Sequence, residues 1–151
     1  MAQELLKIGD LAAHTGASVE TIRYYERQQL LPPPLRSEKN YRLYGDGHIK
    51  RLQFIRHCRW LDMTLAEIRT LLDFRDTPTE NCAGVNTLLD MHIGHVAARI
   101  RELKALQTQL KQLRGLCPAT QSTQECGILQ GLAEVGEADP RNLGSHGGGS
   151  R

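Results

Sequence analysis

Between residues 83 and 115 the chain contains no proline, and apolar residues return at every third or fourth position: Val85, Leu89, Ile93, Val96, Ile100, Leu103, Leu106, Leu110 and Leu113. An α-helix turns once in 3.6 residues, so this spacing gathers them into one stripe. It is the seam of a coiled coil. A helix with a single apolar stripe cannot leave it in water, so the rod needs a partner. The simplest partner is a second copy related by two-fold symmetry. The fold class expected from this is mainly α.

Cysteines bracket the rod. Cys82 stands just before it, Cys117 just after it, and Cys126 follows across the loop Pro118-Ala119-Thr120-Gln121-Ser122-Thr123-Gln124-Glu125. At about 1.5 Å per residue, Cys82 and Cys117 lie about 50 Å apart within one chain and cannot share an ion. In an antiparallel pair each Cys82 lies beside the other chain's Cys117, and Cys126 can fold back toward it. Three thiolates from two chains then converge at each end of the coil. The opening Met1-Ala2-Gln3-Glu4 has neither the basic patch nor the apolar stretch of an export signal. No apolar run approaches the roughly 20 residues of a membrane span. We therefore expect a cytoplasmic protein with no membrane partner. In that reducing compartment the cysteines read as thiols or metal ligands rather than disulfides, and spacing alone leaves both open.

The front of the chain is basic. Residues 23–59 hold nine Lys/Arg against three acids, whereas residues 76–151 hold seven against eight. Positive charge gathered in one half suits a phosphate-binding surface. Ile8, Leu11 and Ala12 give a first short helix an apolar face, and Gly16 is placed to end it. Ser18 is an N-cap for a second helix through Glu26. The spacing of Ala12, Gly16 and Ile22 fits a helix-turn-helix. Leu30-Leu31-Pro32-Pro33-Pro34 breaks the second helix. Asn40-Tyr41-Arg42-Leu43-Tyr44 then reads as a short strand whose Arg and Tyr side chains can donate to phosphate oxygens, a wing beside the reading helix. Asp46 is expected to cap a third helix, with Ile49, Leu52, Phe54, Ile55 and Leu61 on its buried side. Thr64 and Glu67 form a capping box for a fourth, with Leu65, Ile68, Leu71 and Leu72 inside. Cys58 falls among apolar neighbours as a buried, inert thiol.

The segments Ile8-Gly9-Asp10-Leu11-Ala12, TIRYYE at 21–26, Leu30-Leu31-Pro32, NYRLY at 40–44 and RLQFIRHCRWLDMTLAEIRTLL at 51–72 resemble the MerR family of transcription regulators. That resemblance implies a winged helix-turn-helix head (1–75), a long antiparallel coiled-coil dimerisation helix (76–116) and a short metal-binding loop and helix (117–133). Residues 134–151, ending in Gly147-Gly148-Gly149-Ser150, are expected to form a disordered tail. The resemblance implies DNA contacts from Arg23, Tyr24, Tyr41 and Arg42. Ser18, Thr21, Arg36 and Tyr44, on the same helix and wing, complete the candidate set.

Cysteines at 82, 117 and 126 resemble the effector ligands of metal-sensing members. The stretches around them are similar to the lead- and cadmium-responsive PbrR/CadR branch. The implied effector is Pb(II) or Cd(II), with Hg(II) and Zn(II) behind. His92 and His95, three apart on the rod, face one side and form a possible accessory metal site, or else ordinary polar surface or seam packing. The family implies a homodimer on double-stranded promoter DNA carrying an inverted repeat, acting with RNA polymerase holoenzyme. A thiol or redox sensor using the same cysteines is the alternative. The chain has no Gly-rich phosphate loop, nucleophile–base pair or open metal site beside a general base, so it is not expected to be an enzyme.

Overall fold

The computed structural model describes residues 4–78 and 81–134. The expected tail thus lies, beyond Glu134, outside the described residues. Six α-helices and one two-stranded ribbon are present among them: α1 (Ile8–Thr15), α2 (Val19–Arg27), β1 (Leu35–Arg36), β2 (Arg42–Leu43), α3 (Asp46–Trp60), α4 (Leu65–Asp76), α5 (Ala83–Gly115) and α6 (Gly127–Glu134). The chain divides into two compact units, Met1–Asp90 and Met91–Arg151. No helix among the described residues is long and apolar enough to cross a membrane.

In the first unit, local signals set the helix ends. Gly16 terminates α1 at φ +75°, a left-handed conformation that a residue without Cβ adopts freely. The turn needs room as well, because a Cβ there would sit 2.9 Å from Arg56 Nη1. Ser18 caps α2, its hydroxyl accepting the Thr21 N–H at 3.1 Å. Thr64 and Glu67 form the expected reciprocal box at the head of α4, each bond 3.1 Å long. At α3 the cap differs from expectation. Gly45, not Asp46, holds the N-cap position, and its N–H donates to His48 Nδ1 at 3.1 Å. That fixes the imidazole proton on Nε2, which donates to the Pro33 carbonyl at 3.1 Å. Asp46 instead pairs with Lys50 one turn on.

The core is built where α1, α2, α3 and α4 meet. Leu11, Ile22, Leu52, Ile55, Ile68 and Leu72 are fully or almost fully buried in it. Leu61, expected inside, is 54% exposed. Helix α3 has ended at Trp60, and Asp62 at φ +62° turns the chain so that Met63 enters the core instead. Trp60 itself is 84% exposed.

The wing is a ribbon rather than a lone strand. β1 pairs antiparallel with β2, Leu35 opposite Leu43 and Arg36 opposite Arg42. Its tip closes through Ser37, whose hydroxyl accepts the Tyr41 N–H at 3.0 Å, with Asn40 at φ +65°. Leu6 and Tyr44 exchange main-chain hydrogen bonds of 2.8 Å and anchor the ribbon's base.

Helix α5 begins in the first unit and ends in the second, unbroken, over the residues the apolar period predicts. Leu89, Ile93, Val96, Ile100, Leu103, Leu106 and Leu110 along its stripe are each at least 39% exposed in the single chain. Exposure of so long an apolar row is what a helix awaiting a coiled-coil partner presents.

Candidate nucleic-acid interface and metal centre

Helix α2 and the wing present most of the polar residues expected to meet DNA. Ser18 and Thr21 share a 2.8 Å hydroxyl contact at the start of α2. Arg23 is exposed and Tyr24 half-buried on the same helix, while Arg36, Tyr41 and Arg42 are exposed on the ribbon. Guanidinium groups and phenols at such positions donate to phosphate oxygens or base edges. Tyr44 departs from this set. It is fully buried, and its hydroxyl donates to Glu26 on α2, so it packs the ribbon onto the reading helix instead of facing solvent. Arg42 Nη1 lies 3.9 Å from the other oxygen of Glu26.

Part of the basic charge is spent inside the head. Arg51 bonds to the Leu30 carbonyl and to Asp76, Arg56 to the Thr15 carbonyl, and Arg59 to the Met63 carbonyl at 2.9 Å. Arg23, Arg36 and Arg42 remain at the surface of the candidate interface. Glu26, His48 and Arg51 have positioning roles that the sequence pattern does not reveal. Their partners lie 15 to 25 residues away, and no local pattern announces them.

The cysteines fall in two places. Cys58 is buried in the head, where loss of hydration pushes its thiol pKa up. Cys82 is exposed immediately before α5, with the Asn86 amide 4.0 Å from its sulfur. It edges an apolar groove of about 270 Å³ lined by Phe54, Leu71, Phe74 and Val85.

In the second unit, Cys117 and Cys126 come together. Gly127 makes this possible, since a Cβ there would meet the Leu116 carbonyl oxygen at 2.2 Å. The Cys126 sulfur sits at the start of α6, beside the main-chain N–H groups of Leu129 and Ile128 and the Cys117 side chain. The Leu129 N–H, foremost among these, holds the Cys126 pKa below the ordinary thiol value against an opposing desolvation effect. The Cys117 thiol also lies 3.3 Å from the Ala119 carbonyl. Two adjacent sulfurs, one with its thiol pKa lowered, form a donor set that fits a soft cation. His92 is buried and His95 exposed on α5.

Comparison with known proteins follows the same two parts. Residues 6–74 match the model of the MerR HTH family regulatory protein, and residues 49–113 match the MerR DNA-binding model. A ZntR-homolog HTH-type transcriptional regulator of Haemophilus influenzae is 48% identical over 109 residues, covering 72% of this chain and 81% of that protein. The mercuric resistance operon regulatory protein of Bacillus cereus is 37% identical, covering 83% and 96%. Among solved structures, the transcription regulator PbrR691 of Ralstonia metallidurans in complex with lead(II) is 48% identical, with a TM-score of 0.74 over 84% of this chain and 98% of that one.

Proposed function

Because the chain belongs to the MerR family of helix-turn-helix transcription regulators, we propose that it is a homodimeric activator of metal-resistance genes whose effector is Pb(II) or Cd(II). The observation that carries this reading is the adjacent thiol pair, Cys117 with Cys126 at the start of α6. Similarity to a regulator solved with lead(II) supports the choice of ion. A structural zinc would ask for four closed ligands, and this set offers three.

Helix α2 enters the major groove with Arg23 and Tyr24, and the ribbon lays Arg36, Tyr41 and Arg42 on the flanking phosphates. The exposed stripe of α5 meets the same stripe of an antiparallel second copy, giving two heads for the half-sites of an inverted repeat. Cys117 and Cys126 of one protomer, with the partner subunit's Cys82, form the ligand set, and these thiols must release their protons to bind. A soft divalent ion, when bound, supplies a cross-link among the three sulfurs. The arrangement of the dimer that brings these sulfurs together is thereby favoured over the one that keeps them apart. Its two heads hold the promoter bent and untwisted, so that RNA polymerase holoenzyme engages −35 and −10 elements set too far apart on relaxed DNA.

Run-off transcription from the promoter the protein selects, with Pb(II), Cd(II), Hg(II) and Zn(II) titrated in turn, tests this. Cys82→Ser, Cys117→Ser and Cys126→Ser should each abolish induction and leave DNA affinity unchanged. Induction retained in all three variants overturns the ligand set.

The same thiol pair favours one second reading, a redox sensor. Cys117 and Cys126 would lose two protons and two electrons to a peroxide, closing a disulfide as the peroxide leaves as water. A Cys117–Cys126 disulfide needs no Cys82, so peroxide-driven induction that survives Cys82→Ser would select this form of the redox reading, whereas an intersubunit disulfide through Cys82 would be lost with it.

A further inference from the structure

One side chain in the first unit joins elements that the sequence keeps far apart. Arg51, on α3, donates from Nε to the main-chain carbonyl of Leu30 at 2.6 Å. One of its terminal nitrogens donates to both carboxylate oxygens of Asp76, at 2.9 and 3.0 Å. Leu30 marks the exit of the reading helix. Gln29 there adopts φ +59°, and the N–H groups of Leu30 and Leu31 both return to the Tyr25 carbonyl. The Leu30 carbonyl is therefore fixed to α2 and moves with it.

Asp76 is the last residue of α4, and the same turn carries Phe74. The Phe74 ring lies so close to Gly84 that a Cβ on Gly84 would meet it at 2.2 Å. Gly84 stands two residues beyond Cys82, and Phe74 and Cys82 line the same apolar groove. The end of α4 thus touches the Cys82 turn through Phe74 and the exit of the reading helix through Asp76 and Arg51.

From these contacts we infer that Arg51 is the positioning residue through which the Cys82 end of the metal centre and the DNA-reading helix act on each other. This rests on the proposed function and names the part that carries it. A guanidinium is a planar, pre-organised fork, so one group holds the carboxylate and the carbonyl at a fixed mutual spacing. Lysine keeps the charge and loses that spacing, because its ammonium is a single point on a flexible stem. Asp76 is half exposed, so the contact supplies geometry and contributes little to stability. Coupling between two sites is reciprocal: if Pb(II) changes DNA affinity, DNA changes Pb(II) affinity by the same factor.

The test measures Pb(II) affinity of the full chain twice, free and on the inverted-repeat duplex that the wild-type protein selects from a random library. DNA affinity without metal is measured alongside. In the wild type the two Pb(II) affinities should differ by about fivefold or more, the usual lower bound of such coupling. Arg51→Lys and Asp76→Asn should bring that ratio to within about twofold of one, while free-protein Pb(II) affinity and metal-free DNA affinity each stay within about twofold of wild type. Asp76→Asn keeps the Arg51–Leu30 bond and serves if Arg51→Lys does not fold. Variants that keep the wild-type ratio overturn the inference. So does a loss of metal-free DNA affinity as large as the loss of ratio, since that marks a purely structural role. A wild-type ratio of one also overturns the inference, whereas failure of the proposed function itself is read separately, as run-off transcription that Pb(II) does not induce.

Discussion

Tyr44 on the wing donates its phenolic hydrogen to Glu26 on the reading helix, and the donor is wholly buried. Burial first, and then the bond to the Glu26 carboxylate, push the phenol well above the ordinary tyrosine value near 10. The folded state therefore binds this proton more tightly than the unfolded state does. The resulting stability is present below about pH 10 and is lost as the solution is made more alkaline. Tyr44→Phe should cost about 1–3 kcal/mol at neutral pH, because it leaves a carboxylate oxygen of Glu26 without its donor. Above about pH 10 the melting temperature of the wild type should fall more steeply than that of the variant. Melting curves from about pH 8 to 11 decide this, and parallel slopes would refute it.

Arg42 lies at the wing surface beside the same carboxylate. If it also meets a phosphate, Arg42→Ala should weaken DNA binding about equally for all sequences and lower the salt slope of log affinity by about one. Affinities at four or five salt concentrations suffice. A slope unchanged from wild type would remove Arg42 from the interface.

The proposed division of the ligand set between two chains makes an unusual prediction for mixed dimers. One protomer carries Cys82→Ser and the other carries both Cys117→Ser and Cys126→Ser. Each variant homodimer has no complete site, yet the mixed dimer retains one, formed by the first chain's Cys117 and Cys126 with the second chain's Cys82. It should bind one Pb(II) per dimer. If the set were completed within one chain, the mixed dimer would bind none.

Cys58 is 7% exposed and its thiol pKa is raised by burial, whereas Cys82 is exposed and Cys117 and Cys126 are half-buried. In the native, metal-free protein a thiol-reactive disulfide reagent should titrate three of the four cysteines promptly, and the fourth only after denaturant is added. Cys58→Ala should leave the native count at three. A native count of four would show that the head opens far more readily than its packing implies.

Features that depend on neighbours in sequence are legible in the residues alone. The α5 stripe, the Gly16 stop, the Ser18 cap and the Thr64–Glu67 box are each written within a few residues, and each forms where the spacing puts it. Features set by distant neighbours are not. Tyr41 and Tyr44 look alike in the pattern, yet Tyr44 is drawn inward by Glu26 and by the Leu6 bridge while Tyr41 stays 57% exposed. Strand β1 is two residues long and follows three prolines, too short to carry any period. Leu61 fits the apolar spacing of α3, but the helix ends one residue earlier and the turn at Asp62 puts it outside. For the candidate metal centre, the pairing of Cys117 with Cys126 needs only a short loop, which the spacing shows. Its closure depends on the absence of a side chain at Gly127, a packing detail that spacing does not express.

Trp60, the chain's single tryptophan, stands 84% exposed at the end of α3. Its indole is exposed in the native head, so its emission should be red-shifted before any denaturant is added and should shift little when the core comes apart. The same indole is an optical reporter that needs no label: whatever settles over that corner of the head will announce itself as a blue shift or a loss of quenching by iodide.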